Sequence, residues 1–450
     1  MINAELINKY NVAAPRYTSY PTVPYWNNDQ WNQQQWFDTV RKSYNESSNH
    51  GISLYIHLPF CENLCTYCGC TTRITKNHNV EEPYIEAVLK EWLMYYQVLG
   101  GKPRIREIHL GGGTPTFFSP QNLQKLINGI SRNAILLPDA DLSFEGHPAN
   151  TTYAHLQTLY NCGFRRLSLG IQDFDPAVQD IINRKQSIEQ VKEVTDAARK
   201  LGYSSINFDL IYGLPLQKLS SVRNTITEVI KLMPDRIAYY SYAHVPWLKP
   251  GQRRFTEADL PVDEEKRNLY ECGRRLLLDA GYQDIGMDHF SLPGDSLLTA
   301  SLSDKLHRNF MGYTHQYTKL SIGLGISSIG DSWYGFAENV KSVEVYLQNI
   351  ADGTFPLIKG HILTLEDLMI RRIILDIMCL GKTIIPTSHP LYQEFISRLK
   401  PLVDDGLVLV NNEQLKVTEN GKAFLRNICM CFDQKLALNA PQTQIFSTAV

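Results

Sequence analysis

The chain has 450 residues, 43% hydrophobic and 20% charged, and its 44 lysines and arginines nearly cancel 46 aspartates and glutamates. A formal net charge of -2 excludes the broad basic field that holds nucleic acid or an anionic membrane, so an acidic ligand has to be met by local arginines. No apolar run approaches the roughly 20 residues that span a bilayer, and the first residues, MINAELINKYNVAAPRYTSYP, lack the basic and apolar segments of a secretion signal. A cytoplasmic protein with reduced thiols is therefore expected, and at about 150 residues per domain the length suits one large α/β unit with appendages.

Behind an amino-terminal arm (1–40), six strand-like runs recur: ISLYI from residue 52, REIHL (106–110), LSFE (142–145), RLSLG (166–170), INFDLI (206–211) and RIAYYSY (236–242). The segments between them carry apolar residues at three- and four-residue spacing, as helices covering a sheet do. The alternation predicts parallel strands joined by right-handed crossovers, and six units predict a partial (β/α)6 barrel rather than a closed eight-stranded one. Beyond residue 250 come a long helix (VDEEKRNLYECGRRLLLDAG), then YQDIGMDHFSLP, then a Gly/Ser-rich stretch, GYTHQYTKLSIGLGISSIGDS, that can complete or cover the barrel. The barrel and its extensions are taken to fill 41–360. The mostly helical 361–450 ends in a hairpin, GLVLVNNEQLKVTENG, giving a winged or lid-like domain that lacks the basic cluster of a DNA reader.

Nine cysteines without a secretion signal argue against a disulfide framework. Cys162, Cys272 and Cys379 read as core residues, while Cys61, Cys65, Cys68 and Cys70 fall within ten residues after the first strand, in HLPFCENLCTYCGC. An iron-sulfur cubane takes one thiolate per iron, so three cysteines on one loop leave one iron open to an exchangeable ligand. The other reading is zinc with Cys70 as fourth ligand, although structural zinc sites usually pair two short ligand elements across a separating segment.

Cys61-x3-Cys65-x2-Cys68, with Tyr67 before the last cysteine and a barrel-like alternation around it, resembles the radical S-adenosylmethionine (SAM) superfamily. PRYTSYP (15–21), YIHLPFC (55–61), CGC (68–70), HLGGGTPT (109–116), LSLGIQDF (167–174), NFDLIYGLP (207–215), YAHVP (242–246), IGMDHF (285–290), HRNF (307–310) and RNICMCFD (426–433) narrow the resemblance to the oxygen-independent coproporphyrinogen III oxidases. It runs from about residue 10 to the carboxyl terminus. It implies oxidative decarboxylation of two propionates of coproporphyrinogen III to vinyls, giving protoporphyrinogen IX in haem biosynthesis through a SAM-derived 5'-deoxyadenosyl radical. It further implies a 4Fe-4S cluster on Cys61, Cys65 and Cys68, two SAM molecules, an electron donor such as flavodoxin or ferredoxin, an unknown electron acceptor, and a monomer without nucleic-acid or membrane partners.

Carried over by the same resemblance, Tyr55, Gly112, Glu145 and Ile329 contact the SAM on the cluster, and Tyr67, Gly113, Thr114, Gln172, Arg184, Asp209 and Ala243 a second SAM. No side chain is assigned as acid or base. Gln172 and Asp209 are read as ending strands, where barrel folds place functional groups. A tetracarboxylate substrate needs cations, which makes Arg16 and Arg308 its candidate ligands with Phe310 beside them. Each has a bland alternative: a tight turn for the glycines, ordinary ion pairs for the arginines, a satisfied buried imidazole for His57. Two departures stand out: Met311 and His315 in HRNFMGYTH, where the family commonly reads HRNFQGYTT, and Gly146-His147-Pro148 in place of valine-aspartate-proline. A haem chaperone and a radical SAM methyl or group transferase are the competing functions, separable by product analysis.

Overall fold

The computed structural model describes residues 4–441, 443 and 445–449. Its centre is an open sheet of twelve strands. In chain order these are β1 (Ile52–Leu58), β2 (Arg104–Gly112), β3 (Ile135–Gly146), β4 (Arg166–Gln172), β5 (Ser205–Tyr212), β6 (Arg236–Ser241), β7 (Gln283–Gly286) and β8 (His289–Ser291). A separate hairpin of β9 (His307–Asn309) and β10 (Gly312–Thr314) follows, and β11 (Ser321–Leu324), β12 (Ile329–Asp331), β13 (Gly335–Asn339) and β14 (Leu357–Ile362) complete the sheet. Across it the order is β14-β13-β12-β11-β1-β2-β3-β4-β5-β6-β8-β7.

β1 to β6 are the six runs legible in the sequence, all parallel, with helices on the outer face of a partial barrel. The Gly/Ser-rich stretch adds a seventh parallel strand: β11 pairs with the free edge of β1, Tyr55 opposite Gly323. The helices start where short polar side chains receive orphan amide donors. Ser119 accepts from Asn122 N, and Thr152 and Ser187 each close a reciprocal box with the residue three positions on.

The strand alternation explains where chemistry can sit. In β1, Ile52, Leu54, Ile56 and Leu58 are fully buried under the helices, so Ser53, Tyr55 and His57 face the barrel interior. The register continues that inward face through Glu107 and His109 of β2, Ser143 and Glu145 of β3, Arg166 and Ser168 of β4, Asn207 and Asp209 of β5, and Arg236 and Tyr240 of β6. A barrel apolar outside and polar inside encloses a site rather than a packed core.

Helix Glu81–Leu99 locks β1 to β11. Tyr84 Oη donates to His57 O (2.8 Å) and accepts from Ile326 N (3.0 Å), while the fully buried Glu91 accepts from Gly325 N, Tyr346 Oη and Asn339 Nδ2 at 2.7–2.8 Å. Burial pushes the Glu91 carboxyl up to about 7 despite these three donors.

A second core joins Tyr17 and Tyr20 of the arm to the carboxyl-terminal helices and to the three-stranded sheet of β15 (Lys382–Ile384), β16 (Val408–Asn411) and β17 (Gln414–Val417). The expected hairpin is β16–β17, turning at Asn412 and Glu413 with Asn412 left-handed. Arg426 holds the two ends of the chain together. It donates to Ala14 O, Pro15 O (3.0 Å), Ser447 O (3.0 Å) and Thr448 O (2.6 Å), and Tyr17 Oη donates to Asp433 (3.1 Å). The arm motif and the tail motif thus form one structural unit. Cys162 and Cys379 are half-buried and pack against the edges of the cores, Cys272 is half-buried outside them, a correction to its expected place, and the buried thiols are Cys429 and Cys431.

Candidate active site

Leaving β1, the chain passes Phe60 and Cys61, which pair with Arg73 and Ile74, so the cysteine loop departs and returns over the carboxyl ends of the strands. Three contacts fix it against the helix at 176–181 and its exit: Thr66 N to Ile182 O (2.9 Å), Thr66 Oγ1 to Ile181 O (2.9 Å) and Asn183 Nδ2 to Leu64 O (2.8 Å). Cys61 Sγ lies 3.3 Å from Thr114 Oγ1, Arg184 Nη1 donates to Cys65 Sγ (3.6 Å), and Cys70 N donates to Cys68 Sγ (3.4 Å). Hydrogen bonding from Cys70, against burial, draws the Cys68 thiol down to about 6, whereas burial pushes Cys61 up to about 11. Among the described residues no three His, Cys, Asp or Glu side chains form a group for a single metal ion. A cubane asks for something different, one thiolate at each of separate corners.

The glycine loop ending β2 is a cradle in the steric sense. A Cβ at Gly112, where φ is +111°, would stand 2.5 Å from the His57 ring, and one at Gly113 would stand 2.6 Å from the Pro59 carbonyl. His57 Nε2 donates to Thr71 O (2.8 Å), which leaves Nδ1 to accept from Tyr55 Oη at 3.1 Å; burial lowers this imidazole's pKa, in keeping with the neutral form. Glu145 accepts from Gly112 N (3.2 Å) and His109 Nε2 (3.3 Å). Burial opposes its ionisation, yet His109 and the Gly112 amide together hold the carboxyl below its usual range. The side chain is ringed by protein and still 42% open, because it lines an interior cavity.

A second group adjoins. Arg184 Nη2 donates to Gly170 O (2.6 Å), and Asp209 accepts from Ser168 Oγ and Asn207 Nδ2, both at 2.8 Å, while burial raises its carboxyl to about 6. Gln172 ends β4 with φ +66°, but Asp209 lies inside β5, three residues before its end, a correction to its expected place. Among the described residues Gln172 Oε1 and Arg184 Nε are buried without a hydrogen-bond partner. Gln252, 1% exposed, donates to both Tyr67 O (3.1 Å) and Ala243 O (3.3 Å), tying the cysteine loop to the end of β6.

Arg16 and Arg308 converge: Arg308 Nη2 donates to Arg16 O (3.5 Å), and both act electrostatically on the Tyr240 hydroxyl and the His289 ring. Arg308 is 5% exposed, with Nε and Nη1 unpartnered among the described residues. Beneath the mouth an interior cavity of about 130 Å³ is lined by His109, Glu145, Asp209, Tyr240, His289 and Met311, among others. Phe310 and Ile329 stand apart, in a small apolar cluster with Trp26 and Phe336, where Phe310 meets Phe336 edge-on at 5.8 Å. Ile329 nevertheless borders the first group, since a Cβ at Gly323, the register partner of Tyr55, would lie 2.9 Å from its carbonyl.

Sequence reasoning missed His109, which stacks on Tyr55 (ring centroids 6.0 Å apart) and orients Glu145, and it missed Gln252 and Tyr240. The polar alternation of β2 and β6 carried the signal for His109 and Tyr240. Gln252 lies in a loop without periodicity, and nothing local marks it.

Comparison with known proteins agrees with this geometry. The radical SAM superfamily profile matches residues 55–229. The oxygen-independent coproporphyrinogen III oxidase of Escherichia coli K12 is 36% identical over 447 residues, 98% of this chain and 96% of its own. The protein of that name from Synechocystis is also 36% identical, over 466 residues covering 100% of this chain and 98% of its own. The solved structure of E. coli coproporphyrinogen III oxidase (HemN), described as a radical SAM enzyme, superposes with a TM-score of 0.89 at 34% identity, covering 96% of this chain and 99% of that one.

Proposed function

The chain belongs to the oxygen-independent coproporphyrinogen III oxidases, radical SAM enzymes of haem synthesis, and from that premise we propose how its residues divide the work. The residues fit the group that the family carries. Three thiols share one loop at the barrel mouth, glycines 112 and 113 leave no room for a side chain, and buried polar atoms of Gln172 and Arg184 wait for partners.

In this reading Cys61, Cys65 and Cys68 hold a 4Fe-4S cluster, which supplies the electron that splits bound SAM to a 5'-deoxyadenosyl radical. Tyr55, Gly112, Glu145 and Ile329 bind that SAM. Glu145 is kept ionised by His109 and the Gly112 amide, a charge suited to a ligand's ammonium group. Tyr67, Gly113, Thr114, Gln172, Arg184, Asp209 and Ala243 bind a second SAM, with Arg184 able to meet a carboxylate. Arg16 and Arg308 take substrate propionates, and the arm and cysteine loop exclude water from the mouth. Phe310 supports that wall through Phe336.

The observation that carries the reading is a barrel mouth where three thiols share one loop, Arg184 donates to Cys65, and Gln252 ties that loop to Ala243, two residues from the Ser241 carbonyl held by Arg16. A substrate that is both a radical target and a polycarboxylate needs that combination. Anaerobic incubation of the reconstituted protein with coproporphyrinogen III, SAM and a reductant, followed by chromatography, should yield protoporphyrinogen IX. Methylated product, or SAM cleavage without any porphyrinogen product, would overturn the reading in favour of a transferase or a haem chaperone.

A further inference from the structure

We propose that Lys266 is a further carboxylate-binding residue of the substrate cavity, acting beside Arg16 at the carboxyl end of β6. The proposal rests on the reading of this mouth as the coproporphyrinogen site and assigns the site one more cation. Arg16 Nη2 donates to Ser241 O (2.9 Å) and Lys266 Nζ to the next carbonyl, Tyr242 O (3.3 Å). Successive carbonyls at this strand end therefore each hold a cation, close enough for Arg16 to act electrostatically on Lys266, just before Ala243. Lys266 reaches this place from helix Asp263–Asp279 by crossing Gly213 just past β5, where a Cβ would stand 2.8 Å from its Cε.

The charge at this rim is unbalanced. Arg426 is a third cation nearby, but its guanidinium is taken up by the carbonyls of the two chain ends. Asp288 is the acid that pairs with Arg16, loosely at 3.7 Å, and among the described residues no carboxylate forms an ion pair with Lys266. Burial, with Arg16 and Arg426 close by, draws its ammonium down to about 8, the mark of a cation lacking its counter-charge. Arg16 bonds the carbonyl of Ser241, the residue that follows Tyr240, and Tyr240 lines the interior cavity, so the rim adjoins that cavity. A carboxylate entering between Lys266 and Arg16 would supply the missing counter-charge and accept a charge-assisted bond from each. A substrate with four carboxylates supplies such a group at each of its four corners.

The test uses full-length reconstituted protein with SAM and two porphyrin probes, coproporphyrin III and its tetramethyl ester, with binding followed by fluorescence. Wild-type protein should favour the acid. Lys266→Met should weaken acid binding about tenfold, the size of one charge-assisted hydrogen bond, leave the ester unmoved, and be largely rescued by Lys266→Arg. In turnover KM for coproporphyrinogen III should rise by the same factor with kcat changed less than about twofold. Lys266→Gln gives the same comparison if the methionine variant fails to fold.

Equal weakening of acid and ester, or a fall in kcat with KM unmoved, would show that the side chain only packs over Gly213 and would overturn the proposal. Wild-type protein that binds both probes equally would overturn it too, whatever the turnover. Protein that selects the acid through Lys266 yet forms no protoporphyrinogen would support the subsite and sink the assigned reaction instead.

Discussion

Two regions bury charge and polarity to a similar degree and treat them oppositely. Behind β1 and β11, Glu91 is fully enclosed and all three of its hydrogen bonds are made, to Gly325 N, Asn339 Nδ2 and Tyr346 Oη. At the mouth, Arg184, Gln172, His289 and Arg308 are also at least nine-tenths buried, yet each keeps a polar atom without a partner among the described residues. A buried group left unpaired costs about 1–3 kcal/mol, so a folded chain tolerates a cluster of them where a ligand completes the bonding. The completed network specifies the fold; the incomplete one specifies what binds. Substitutions should separate the two, the first acting on stability and the second on affinity.

The largest effect belongs to the cysteine loop. Cys61→Ser, Cys65→Ser or Cys68→Ser replaces a soft thiolate by a poor iron ligand and should abolish SAM cleavage, measured as 5'-deoxyadenosine formed under dithionite. Cys70→Ser should retain more iron, because Cys70 serves as a hydrogen-bond partner of Cys68. Iron loss in Cys70→Ser as complete as in Cys68→Ser would break the three-ligand assignment.

Next comes the satisfied region. Glu91→Ala orphans three donors and should cost about 3 kcal/mol or more, seen in chemical denaturation, and folded variant should keep its KM for substrate. The same residue sets a pH dependence. Its folded pKa, about 7, lies above that of an unfolded carboxyl, so its contribution is fully present in acid and is lost as pH rises from the ordinary carboxyl range through about 7. The Tm of the wild type should therefore fall relative to Glu91→Gln between about pH 5 and pH 8. A constant difference across that window would mean that Glu91 stays ionised throughout.

How far the sequence disclosed this contrast follows from periodicity. The six parallel strands were legible because their outward residues, such as Ile52, Leu54 and Ile56, alternate with polar ones and the helices between them repeat at three or four. β11 was not, since SIGL in a Gly/Ser-rich stretch earns its place only by pairing with β1. The cysteine loop was legible from spacing, and most of the positions proposed to meet SAM only through resemblance. The approach of Arg16 and Lys266 to successive carbonyls was invisible, because it depends on an arm and a helix some 250 residues apart reaching one strand end.

A third prediction sharpens the incomplete region. Arg184→Met removes a buried cation whose Nε lacks a partner, so stability should change by less than about 1 kcal/mol, because an apolar side chain of similar length replaces a charge that is only partly compensated. SAM binding should respond more strongly: calorimetric stoichiometry should fall from two toward one, with the remaining site near its original affinity. Two sites of unchanged affinity in this variant would remove Arg184 from the second SAM position, and one site in the wild type would remove that position altogether.

The smallest effect is expected at Met311, whose side chain lines the interior cavity opposite groups that can hydrogen-bond, among them Asn207, Asp209 and Tyr240. A thioether there offers contact area and a weak acceptor where a glutamine would present an amide. Neither the cysteine loop nor the Glu145–His109 pair touches residue 311 through a hydrogen bond, and its backbone N–H is already taken by Asn309 Oδ1 at 2.9 Å. Met311→Gln should therefore leave radical generation alone and shift substrate or SAM affinity by about 0.5–1.5 kcal/mol, one neutral hydrogen bond. Its direction reports on the cavity: tighter binding means that the amide finds a ligand atom, and weaker binding means that the wild-type pocket is tuned to an apolar contact. A wild type that cleaves SAM without ever forming protoporphyrinogen, while Met311→Gln forms it, would instead make this one side chain the switch between oxidase and a different function.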